Sequence, residues 1–363
     1  MSGPIQPDRL GEQIVGRARD LGFAMAGIVE AHPTDHRDHV VRWLAEGRAG
    51  EMEYLNRNVE ARLDPSVFVP GCRSVVMVAD QYHARSEPED APAPGHGRIA
   101  RYARGRDYHK AMKKRLHTLA DGLAADHPGE VFRSFVDTAP ILEREHAARA
   151  GIGWIGKHTL VINPRRGSWM FLGGIATSMA IAPPRDQRAV PDRCGTCSRC
   201  IDACPTKAIT PYAVDATRCI AYLTIEHRGP IDPKFHASMG DWVFGCDICQ
   251  DVCPHNSART PPHDRVSVGT ANDTYASDRT SFDLLEVLGW TETDRRAAAA
   301  GTPMTRASLP MWKRNALIAA GNALRSVHDA ALRARIDALA IDEDEDALVR
   351  DTARAVAESV DAD

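Results

Sequence analysis

The spacing of eight cysteines constrains this chain more than any other feature of its 363 residues. One run reads Cys-x2-Cys-x2-Cys-x3-Cys-Pro, the ligand pattern of bacterial ferredoxins, and a shorter run downstream also ends in Cys-Pro. In chain order the eight residues are Cys194, Cys197, Cys200, Cys204, Cys219, Cys246, Cys249 and Cys253. A chain of this length does not need cysteines as disulfide staples, because disulfide-dense domains are small and secreted. The pattern therefore predicts metal or redox chemistry.

Two [4Fe-4S] clusters would use all eight thiols. In two-cluster ferredoxins the fourth cysteine of a run ligates the other cluster. This rule assigns the first cluster to Cys194, Cys197, Cys200 and Cys253. It assigns the second cluster to Cys204, Cys219, Cys246 and Cys249. Zinc is the alternative, but zinc sites usually pair two short cysteine knuckles across a longer gap. The ninth cysteine, Cys72, is predicted to be an ordinary buried thiol.

Hydrophobic periodicity outlines three consecutive regions. Residues 1–185 alternate between strand and helix patterns, which predicts an α/β or α+β domain. Its strands are predicted at 23–29, 74–79, 131–136, 159–162 and 169–181, its helices at 8–20, 37–46, 106–125 and 141–150, and a loop at 87–97. Residues 186–258 are predicted to form a ferredoxin-like domain. Residues 259–363 are predicted to hold a small α-helical domain with helices near 312–323, 330–340 and 347–360, preceded by a polar linker at 257–280.

The net charge of −4 is unevenly distributed. Residues 337–363 hold ten acids against two arginines, so the rest of the chain carries a net charge of +4. Residues 98–115 contain eight cations and one acid, Asp107. Such a run is usually a solvated helix face. A footprint for a phosphate backbone is the alternative, because clustered cations release counterions when they bind nucleic acid. Charge alone favours the solvated face.

The sequence shows no sign of a membrane segment or a nucleotide cofactor. Residues Met1–Asp8 lack the basic and apolar regions of a signal peptide, and the apolar stretch 171–182 is too short to span a bilayer. We therefore expect a cytoplasmic protein. Dinucleotide-binding and phosphate-loop glycine motifs do not occur, so nothing points to NAD(P) or ATP. Electrons from the clusters would then reach a flavin, a corrinoid or a substrate pocket in the first region.

Three segments of the first region are candidates for that site. Asp137 follows a predicted strand and precedes a predicted helix, so it is either a helix N-cap or a general acid at the carboxyl end of a strand. Capping preference favours the N-cap. The glycines Gly151, Gly153 and Gly156 permit either a tight turn or close approach to a flat ligand. Residues 105–110 either start a helix or bind an anion.

Several motifs together resemble the epoxyqueuosine reductase family. They are Arg101-Tyr102-Ala103, Gly105-Arg106-Asp107-Tyr108-His109-Lys110, the stretches 136–144 and 150–154, Gly156-Lys157-His158, Arg218-Cys219-Ile220, Tyr222-Leu223-Thr224, the stretch 244–250, and Arg314-Asn315-Ala316. The resemblance covers almost the whole chain.

The resemblance implies a base-off cobalamin, cob(II)alamin, held mainly by the N-terminal domain. Members of the family lack the Asp-x-His-x-x-Gly motif of other corrinoid proteins, and Asp107-Tyr108-His109 is likewise followed by no such glycine. The implied corrinoid contacts are Arg62, Ala100, Asp137, Val161, Leu172, Ala221, Cys246, Asp247, Ile248 and Cys249. The C-terminal helices are then expected to be HEAT-like, although fewer helical pairs fit here than the family often has.

The implied reaction is the reduction of epoxyqueuosine to queuosine at the wobble position of tRNA. Cob(I)alamin, reduced through the two clusters, would attack an epoxide carbon. Asp137 would protonate the opening oxygen, with a pKa raised by burial. The implied partners are the tRNA and an external electron donor of the flavodoxin or ferredoxin type, and a monomer is expected. The predicted tRNA contacts are Lys110, Lys113, Lys114 and Arg314.

Two other functions remain open from the sequence. A corrinoid and iron-sulfur enzyme that resembles reductive dehalogenases would act on a small molecule. A ferredoxin-type electron-transfer protein would need no corrinoid.

Overall fold

The computed structural model describes residues 9–259, 269–277 and 279–361. The N-terminal residues 1–8 and part of the predicted linker, 260–268 and 278, lie outside the described residues. In the part of the chain that is described, no helix is long and apolar enough to cross a lipid bilayer.

The elements of the described residues alternate along the first half of the chain and become helical in the second. The strands are β1 (Met25–Glu30), β2 (Ser74–Gln81), β3 (His96–Ile99), β4 (Phe132–Phe135), β5 (Trp154–Ile155), β6 (Val161–Ile162), β7 (Met170–Thr177), β8 (Ile209–Thr210), β9 (Ala213–Val214), β10 (Trp242–Phe244) and β11 (Ser281–Asp283). The first helices are α1 (Leu10–Asp20), α2 (Arg37–Ala45), α3 (Glu53–Asn56), α4 (Val59–Leu63), α5 (Pro65–Phe68), α6 (Arg101–Arg104), α7 (Tyr108–Asp126) and α8 (Glu143–Arg149). The later helices are α9 (Arg199–Asp202), α10 (Ile220–Ile225), α11 (His236–Met239), α12 (Ile248–Asp251), α13 (Leu284–Gly289), α14 (Glu292–Ala299), α15 (Leu309–Leu324), α16 (Ala330–Ile341) and α17 (Ala347–Asp361).

A four-stranded sheet in the order β1-β2-β7-β4 forms the centre of the N-terminal region. Its middle strand β2 is buried at all eight positions, which suits its run of β-branched residues. Every neighbouring pair is antiparallel. The predicted strands are confirmed with shifted ends, and the region is α+β. The antiparallel order also removes the argument, valid for parallel sheets, that a strand's carboxyl end marks a site.

Helices cover both faces of this sheet. Successive side chains of β2 point to opposite faces, and because both sets are apolar, both faces must be buried. Val76 and Val78 pack in a core that includes α1 and α7. Val75 and Met77 belong to a second core that includes α8. Cys72 joins the second core and is buried, as predicted.

A second sheet joins all three predicted regions. β3 pairs with β10 in parallel and with β11 antiparallel. These strands come from residues predicted to be a loop, from the cysteine-bearing region and from the segment after the linker. Ile99, Phe244 and Trp312 share one core. The predicted loop at 87–97 is therefore wrong at its C-terminal end, and the regions 1–185, 186–258 and 259–363 do not pack as separate units.

The C-terminal helices surround α15, whose residues from Met311 to Gly321 are all buried. Helices α16 and α17 pack together, and α17 also packs on α15. The three predicted helices are confirmed. Their HEAT-like character stays a prediction.

Candidate functional site

The eight clustered cysteines lie in two neighbouring groups, and which four would hold which cluster stays a prediction. Cys253 lies within electrostatic range of Cys194, Cys197 and Cys200. In the other group, Cys219 is close to Cys204 and Cys246, and Cys246 is close to Cys249. The groups are neighbours, because Cys249 also lies within range of Cys200. All nine cysteines are free thiols.

The described residues hold no site arranged for one metal ion. Four thiolates around one zinc ion would each lie about 2.3 Å from it. In the described residues, no three His, Cys, Asp or Glu side chains converge as one metal ion requires. The preference for clusters over zinc rests on the ferredoxin spacing of the cysteines.

The loop 194–200, which we call the outer loop, lies at the surface. Gly195, Thr196 and Arg199 are exposed, and Cys194 and Cys197 are half-buried. Lys157 supports the loop by donating hydrogen bonds from its Nζ to the carbonyl oxygens of Gly195 (2.7 Å) and Cys197 (2.9 Å). The first cysteine group therefore has direct access to solvent.

The turn 246–249, which we call the inner turn, is instead held by buried ion pairs. The carboxylate of Asp247, only 1% exposed, accepts hydrogen bonds from the backbone N–H (2.7 Å) and guanidinium (3.3 Å) of Arg101. Arg101 also pairs with Asp251 (2.6 Å) and Glu89 (3.1 Å). Its guanidinium lies 4.7 Å from the centre of the Trp169 ring. Burial raises the pKa of Asp247 to about 6, although Arg101 opposes that shift.

Asp137 lies between β4 and α8, in a backbone conformation with φ of +40°. Its carboxylate Oδ2 accepts hydrogen bonds from Tyr108 Oη (3.0 Å) and from His109 Nε2 (2.9 Å). Its backbone N–H donates to Glu143 Oε1 (2.6 Å). Helix α8 begins only at Glu143 and has no side-chain cap. The N-cap interpretation of Asp137 is therefore wrong.

His109 connects Asp137 to a second carboxylate. Asp107 caps α7 by accepting the backbone N–H of His109 (3.0 Å), and it also contacts His109 Nδ1 (2.8 Å). Residues 105–110 thus start a helix, as one of the two interpretations had it. Burial lowers the pKa of His109, but the hydrogen bonds to the two carboxylates outweigh it and raise that pKa overall.

The same contacts correct the expected ionisation of Asp137. Burial alone would raise the pKa of this carboxyl group, but the hydrogen bonds from His109 and Tyr108 outweigh burial and lower it. The prediction of a raised pKa is wrong for the structure at rest. The proton of this pair then resides on His109, with Asp137 ionised beside it.

Asp137, Glu143 and Arg144 lie close together at a partly accessible place that we call the cleft. The side chain of Asp137 is 55% exposed and Arg144 is exposed, yet burial is the largest influence on the pKa of all three residues. Water therefore reaches Asp137 and Arg144 although much of the protein lies around them. Burial raises the pKa of Glu143 to about 8, so this acid is mainly protonated at neutral pH. Cys249 acts electrostatically on Arg144, so the second cysteine group borders the cleft.

Further side chains near Asp137 were not found by sequence reasoning. Tyr54 and Arg306 lie within electrostatic range of Asp137. Arg306 forms a bidentate pair with Glu226 (3.0 and 2.8 Å) and lies 5.5 Å from the ring centre of Tyr54. No motif or periodicity marks these residues. The family motifs contain Tyr108, His109 and Glu143, but the resemblance implies no role for these three residues.

The predicted corrinoid contacts divide by accessibility. Accessible members are Arg62, Leu172, Ala221, Cys246, Ile248 and Cys249. Arg62 also lies within range of Asp137, and its Nε is buried without a hydrogen-bond partner. Val161 is only 5% exposed. Ala100 has no exposed surface and donates its N–H to Phe244 O (2.8 Å), and Asp247 is also buried, so the contacts of these two residues with a corrinoid stay predictions.

The glycines Gly151 and Gly153 serve a tight turn. Gly151 has φ of +75°, and a Cβ on Gly153 would lie 2.2 Å from the carbonyl oxygen of Ile162. Their close approach is therefore to the chain's own backbone rather than to a ligand.

The cationic run 98–115 divides into a paired half and a free half. The paired residues are Arg98 with Asp241, Arg101 with three acids, Arg104 with Glu89, and Arg115 with Asp80. Arg106, Lys110, Lys113 and Lys114 are exposed and have no ion-pair partner among the residues that the structure describes. The first four hold the fold, and the second four leave a cationic surface on and beside α7.

Arg314 corrects the predicted tRNA contacts. It has no exposed surface, and it donates hydrogen bonds to the carbonyl oxygens of Leu223 (2.7 Å), His227 (2.8 Å) and Gly229 (2.6 Å). Burial lowers the pKa of Arg314 to about 10. This arginine joins α15 to the chain around α10 and does not reach a nucleic acid.

Family models, related sequences and a solved structure all match this chain, and the matched relatives bear one family name. Residues 193–256 match a family model described as a 4Fe-4S double cluster binding domain, and residues 62–138 match one described as Epoxyqueuosine reductase QueG. The chain is 39% identical to the epoxyqueuosine reductase of Pseudomonas aeruginosa, over 88% of this chain and 87% of the relative. It is 40% identical to that of Alicycliphilus denitrificans, over 93% and 95%. A crystal structure of epoxyqueuosine reductase with an epoxyqueuosine-modified tRNA-Tyr stem loop superposes with a TM-score of 0.85 at 25% identity, over 98% of this chain and 91% of that one.

Proposed function

The chain belongs to the epoxyqueuosine reductase family of oxidoreductases, and from this we propose that it reduces epoxyqueuosine to queuosine at the wobble position of tRNA. The observation that carries the proposal is the cleft in which Asp137 stands beside His109, next to the second cysteine group. A proton source and an electron source meet there, as the reduction of an epoxide requires.

The residues present fit the cofactors that this reaction needs. Two [4Fe-4S] clusters would be held by the two cysteine groups, in agreement with the double-cluster family model. A corrinoid would lie against the accessible side chains Leu172, Ala221 and Ile248, and the unpartnered Nε of Arg62 offers it a hydrogen-bond donor. Cobalamin, when bound and reduced through the clusters, supplies a strong cobalt nucleophile for an epoxide carbon.

The side chains of the protein itself would supply the protons for the reaction. Conversion of an epoxide to an alkene takes up two electrons and two protons and releases one water. Asp137 would pass the His109 proton to the epoxide oxygen, since both hydrogen-bond partners already lie at its carboxylate. A substrate that displaces water from the cleft would raise the pKa of Asp137 and favour this transfer. Glu143 is a second acid in the same cleft.

The remaining parts of the proposal concern partners. Arg106, Lys110, Lys113 and Lys114 would contact the phosphate backbone of the anticodon stem loop. We infer that the enzyme is a monomer that takes electrons from a flavodoxin or ferredoxin. Nine free cysteines suit a reducing compartment, which supports a cytoplasmic location.

The test is the nucleoside content of tRNA in a bacterial strain that lacks its own epoxyqueuosine reductase. Expression of this chain is expected to convert the accumulated epoxyqueuosine to queuosine, as measured by mass spectrometry of digested tRNA. The Asp137→Asn variant serves as the matched control and should leave epoxyqueuosine in place. Persistent epoxyqueuosine with the unaltered chain, purified with both clusters loaded, would overturn the proposal.

A further inference from the structure

The two cysteine groups differ in what surrounds them, and the difference gives the path of electrons a direction. The second group borders the cleft through Cys249. The first group neighbours the second through Cys200, and its outer loop is open to solvent. A Cβ added at Gly195, in the middle of that loop, would meet no atom within 4 Å. Electrons from outside therefore have their nearest entry at the outer loop.

An aromatic side chain is exposed beside this entry. Tyr212 is 41% exposed, and its hydroxyl donates a hydrogen bond to Asp192. Asp192 in turn accepts the N–H of Cys194 (2.7 Å), and the N–H of Tyr212 donates to Lys157 O (3.1 Å). Tyr212 is thus fixed to the outer loop by backbone and side-chain hydrogen bonds. An ordered, exposed tyrosine of this kind is typical of protein interfaces.

Around Tyr212 and the outer loop the cations outnumber the acids by three, Lys157, Arg193 and Arg199, to two, Asp192 and Asp202. Arg193 and Arg199 are exposed and have no ion-pair partner among the described residues. The nearby acids are engaged within the loop, since Asp192 binds Tyr212 and Asp202 accepts the hydroxyl of Ser198 (2.6 Å). Free arginines around an exposed aromatic residue favour a negatively charged protein partner.

Resting on the proposed function, we propose that Lys157, Arg193, Thr196, Arg199 and Tyr212 form the docking surface for an acidic electron-transfer protein of the flavodoxin or ferredoxin class. The partner would place its redox group over the outer loop. One electron at a time would pass to the first cluster, then to the second, and so to the cleft, where two electrons are consumed per epoxide. The tRNA would occupy a different surface, around the cations of α7.

Direct binding provides a test that does not depend on turnover. Calorimetry with an acidic flavodoxin should show an affinity that falls as salt rises. In the variant R193E/R199E the affinity should fall by about tenfold or more at low salt and lose most of its salt dependence. The charge-conserving variant R193K/R199K should bind within about threefold of the unaltered chain. Equal binding by R193E/R199E and the unaltered chain would overturn the proposal.

Turnover separates this proposal from the function on which it rests. With reduced methyl viologen, a small reductant that needs no docking site, R193E/R199E should reduce epoxyqueuosine as fast as the unaltered chain. With reduced flavodoxin, its KM for the donor should rise by about tenfold or more while its affinity for tRNA stays unchanged. Weaker tRNA binding with an unchanged response to flavodoxin would identify the surface as a nucleic-acid site and sink the proposal. No turnover by the unaltered chain with methyl viologen would instead count against the proposed function.

Charge reversal beside cysteines that hold a cluster can disturb the cluster itself, so a milder variant complements it. Tyr212→Ala removes the aromatic surface without changing the charge. It should also weaken flavodoxin binding, while the iron content and the electron paramagnetic resonance of both clusters stay as in the unaltered chain. Unchanged flavodoxin binding by Tyr212→Ala together with unchanged binding by R193E/R199E would exclude this face.

Discussion

The outer loop and the inner turn carry the same ligand type in opposite settings. The outer loop is exposed; Lys157 donates hydrogen bonds to two of its carbonyl oxygens, and the carboxylate of Asp192 accepts one from the N–H of Cys194. The inner turn is held by the buried pair Arg101–Asp247, and its Cys246 and Ile248 pack against the core that contains Phe244. The outer loop is thus accessible to solvent, and the inner turn is held rigidly next to the cleft.

With an electron donor docked as proposed, this difference would let electrons enter the molecule away from the cleft. Solvent and partners meet the outer loop, where an electron can enter without opening the core. On the cleft side, neighbours within the chain set the pKa values of Asp137 and Glu143. The predictions that follow test whether the inner side controls chemistry and folding while the exposed cations control only association.

Loss of the Asp137 carboxylate should have the largest effect. Asp137→Ala is expected to lower the rate of epoxyqueuosine reduction by about 10²- to 10⁴-fold, because proton transfer in the transition state contributes that much. Single-turnover reactions with pre-reduced enzyme measure it without involving the outer loop.

The control for that measurement is the reduction of the two clusters, which would begin at the outer loop. Reduction of both clusters by flavodoxin should proceed at the same rate in Asp137→Ala as in the unaltered chain. Near-normal single-turnover rates in Asp137→Ala would remove this residue from the proton path and assign the acid role elsewhere in the cleft.

Breaking the support of the inner turn should come next. Arg101→Met leaves Asp247 as a buried charge without its partner, and removal of one member of a buried pair costs about 3–5 kcal/mol. The melting temperature should fall, and the iron content should drop towards that of one cluster as the inner turn loosens.

Arg98→Met is the matched variant for this prediction. Arg98 belongs to the same run but pairs with the more accessible Asp241 (3.0 Å), so its loss should cost about 1 kcal/mol or less. Equal losses of stability and iron in both variants would show that the buried pair has no special role.

These contrasts indicate which features a sequence reveals and which it does not. The cysteine groups follow from local spacing, because the geometry of a cluster dictates the number of residues between ligands. The central strand β2 follows from its β-branched residues, since a strand buried on both faces needs them. Both signals lie within a few neighbouring residues.

The missed features depend on distant contacts. β3 pairs with β10 and β11, and none of these short strands has a pattern long enough to detect. The burial of Arg314 follows from carbonyl groups around α10, far away in the chain. The lowered pKa of Asp137 follows from His109, whose position is decided by the start of α7. A family motif identifies such residues but does not show which neighbours they contact in the folded chain.

Glu143 gives a smaller, pH-dependent effect on the cleft side. Its folded pKa of about 8 exceeds that of a free glutamate, so the folded state binds more protons than the unfolded state between about pH 5 and pH 8. Stability should therefore fall as pH rises through this window. Glu143→Gln cannot ionise, so its stability should fall less as pH rises. At pH 8 its free energy of unfolding should exceed that of the unaltered chain by about 1–2 kcal/mol.

His109 must be separated from this effect. Its raised pKa contributes a loss of stability of the same sign as pH rises above about 6.5, and that loss should persist in Glu143→Gln. Glu143→Ala also removes the acceptor for the N–H of Asp137, and its kcat should fall by about tenfold because the φ of +40° at Asp137 loses support. A pH dependence identical in the unaltered chain and in Glu143→Gln would mean that Glu143 is already ionised at neutral pH.

The smallest effect should come from the free half of the cationic run. Replacing Lys110, Lys113 and Lys114 by glutamine removes three exposed charges without touching a buried contact. Each phosphate contact adds about 0.7–0.9 to the slope of log affinity against log salt, so the slope for tRNA should fall by about 2–3 and the affinity by about tenfold. Flavodoxin binding should not change, since the outer loop keeps its charge. If the triple variant lost flavodoxin affinity instead, the two surfaces would have to exchange roles, and electrons would enter the molecule beside α7.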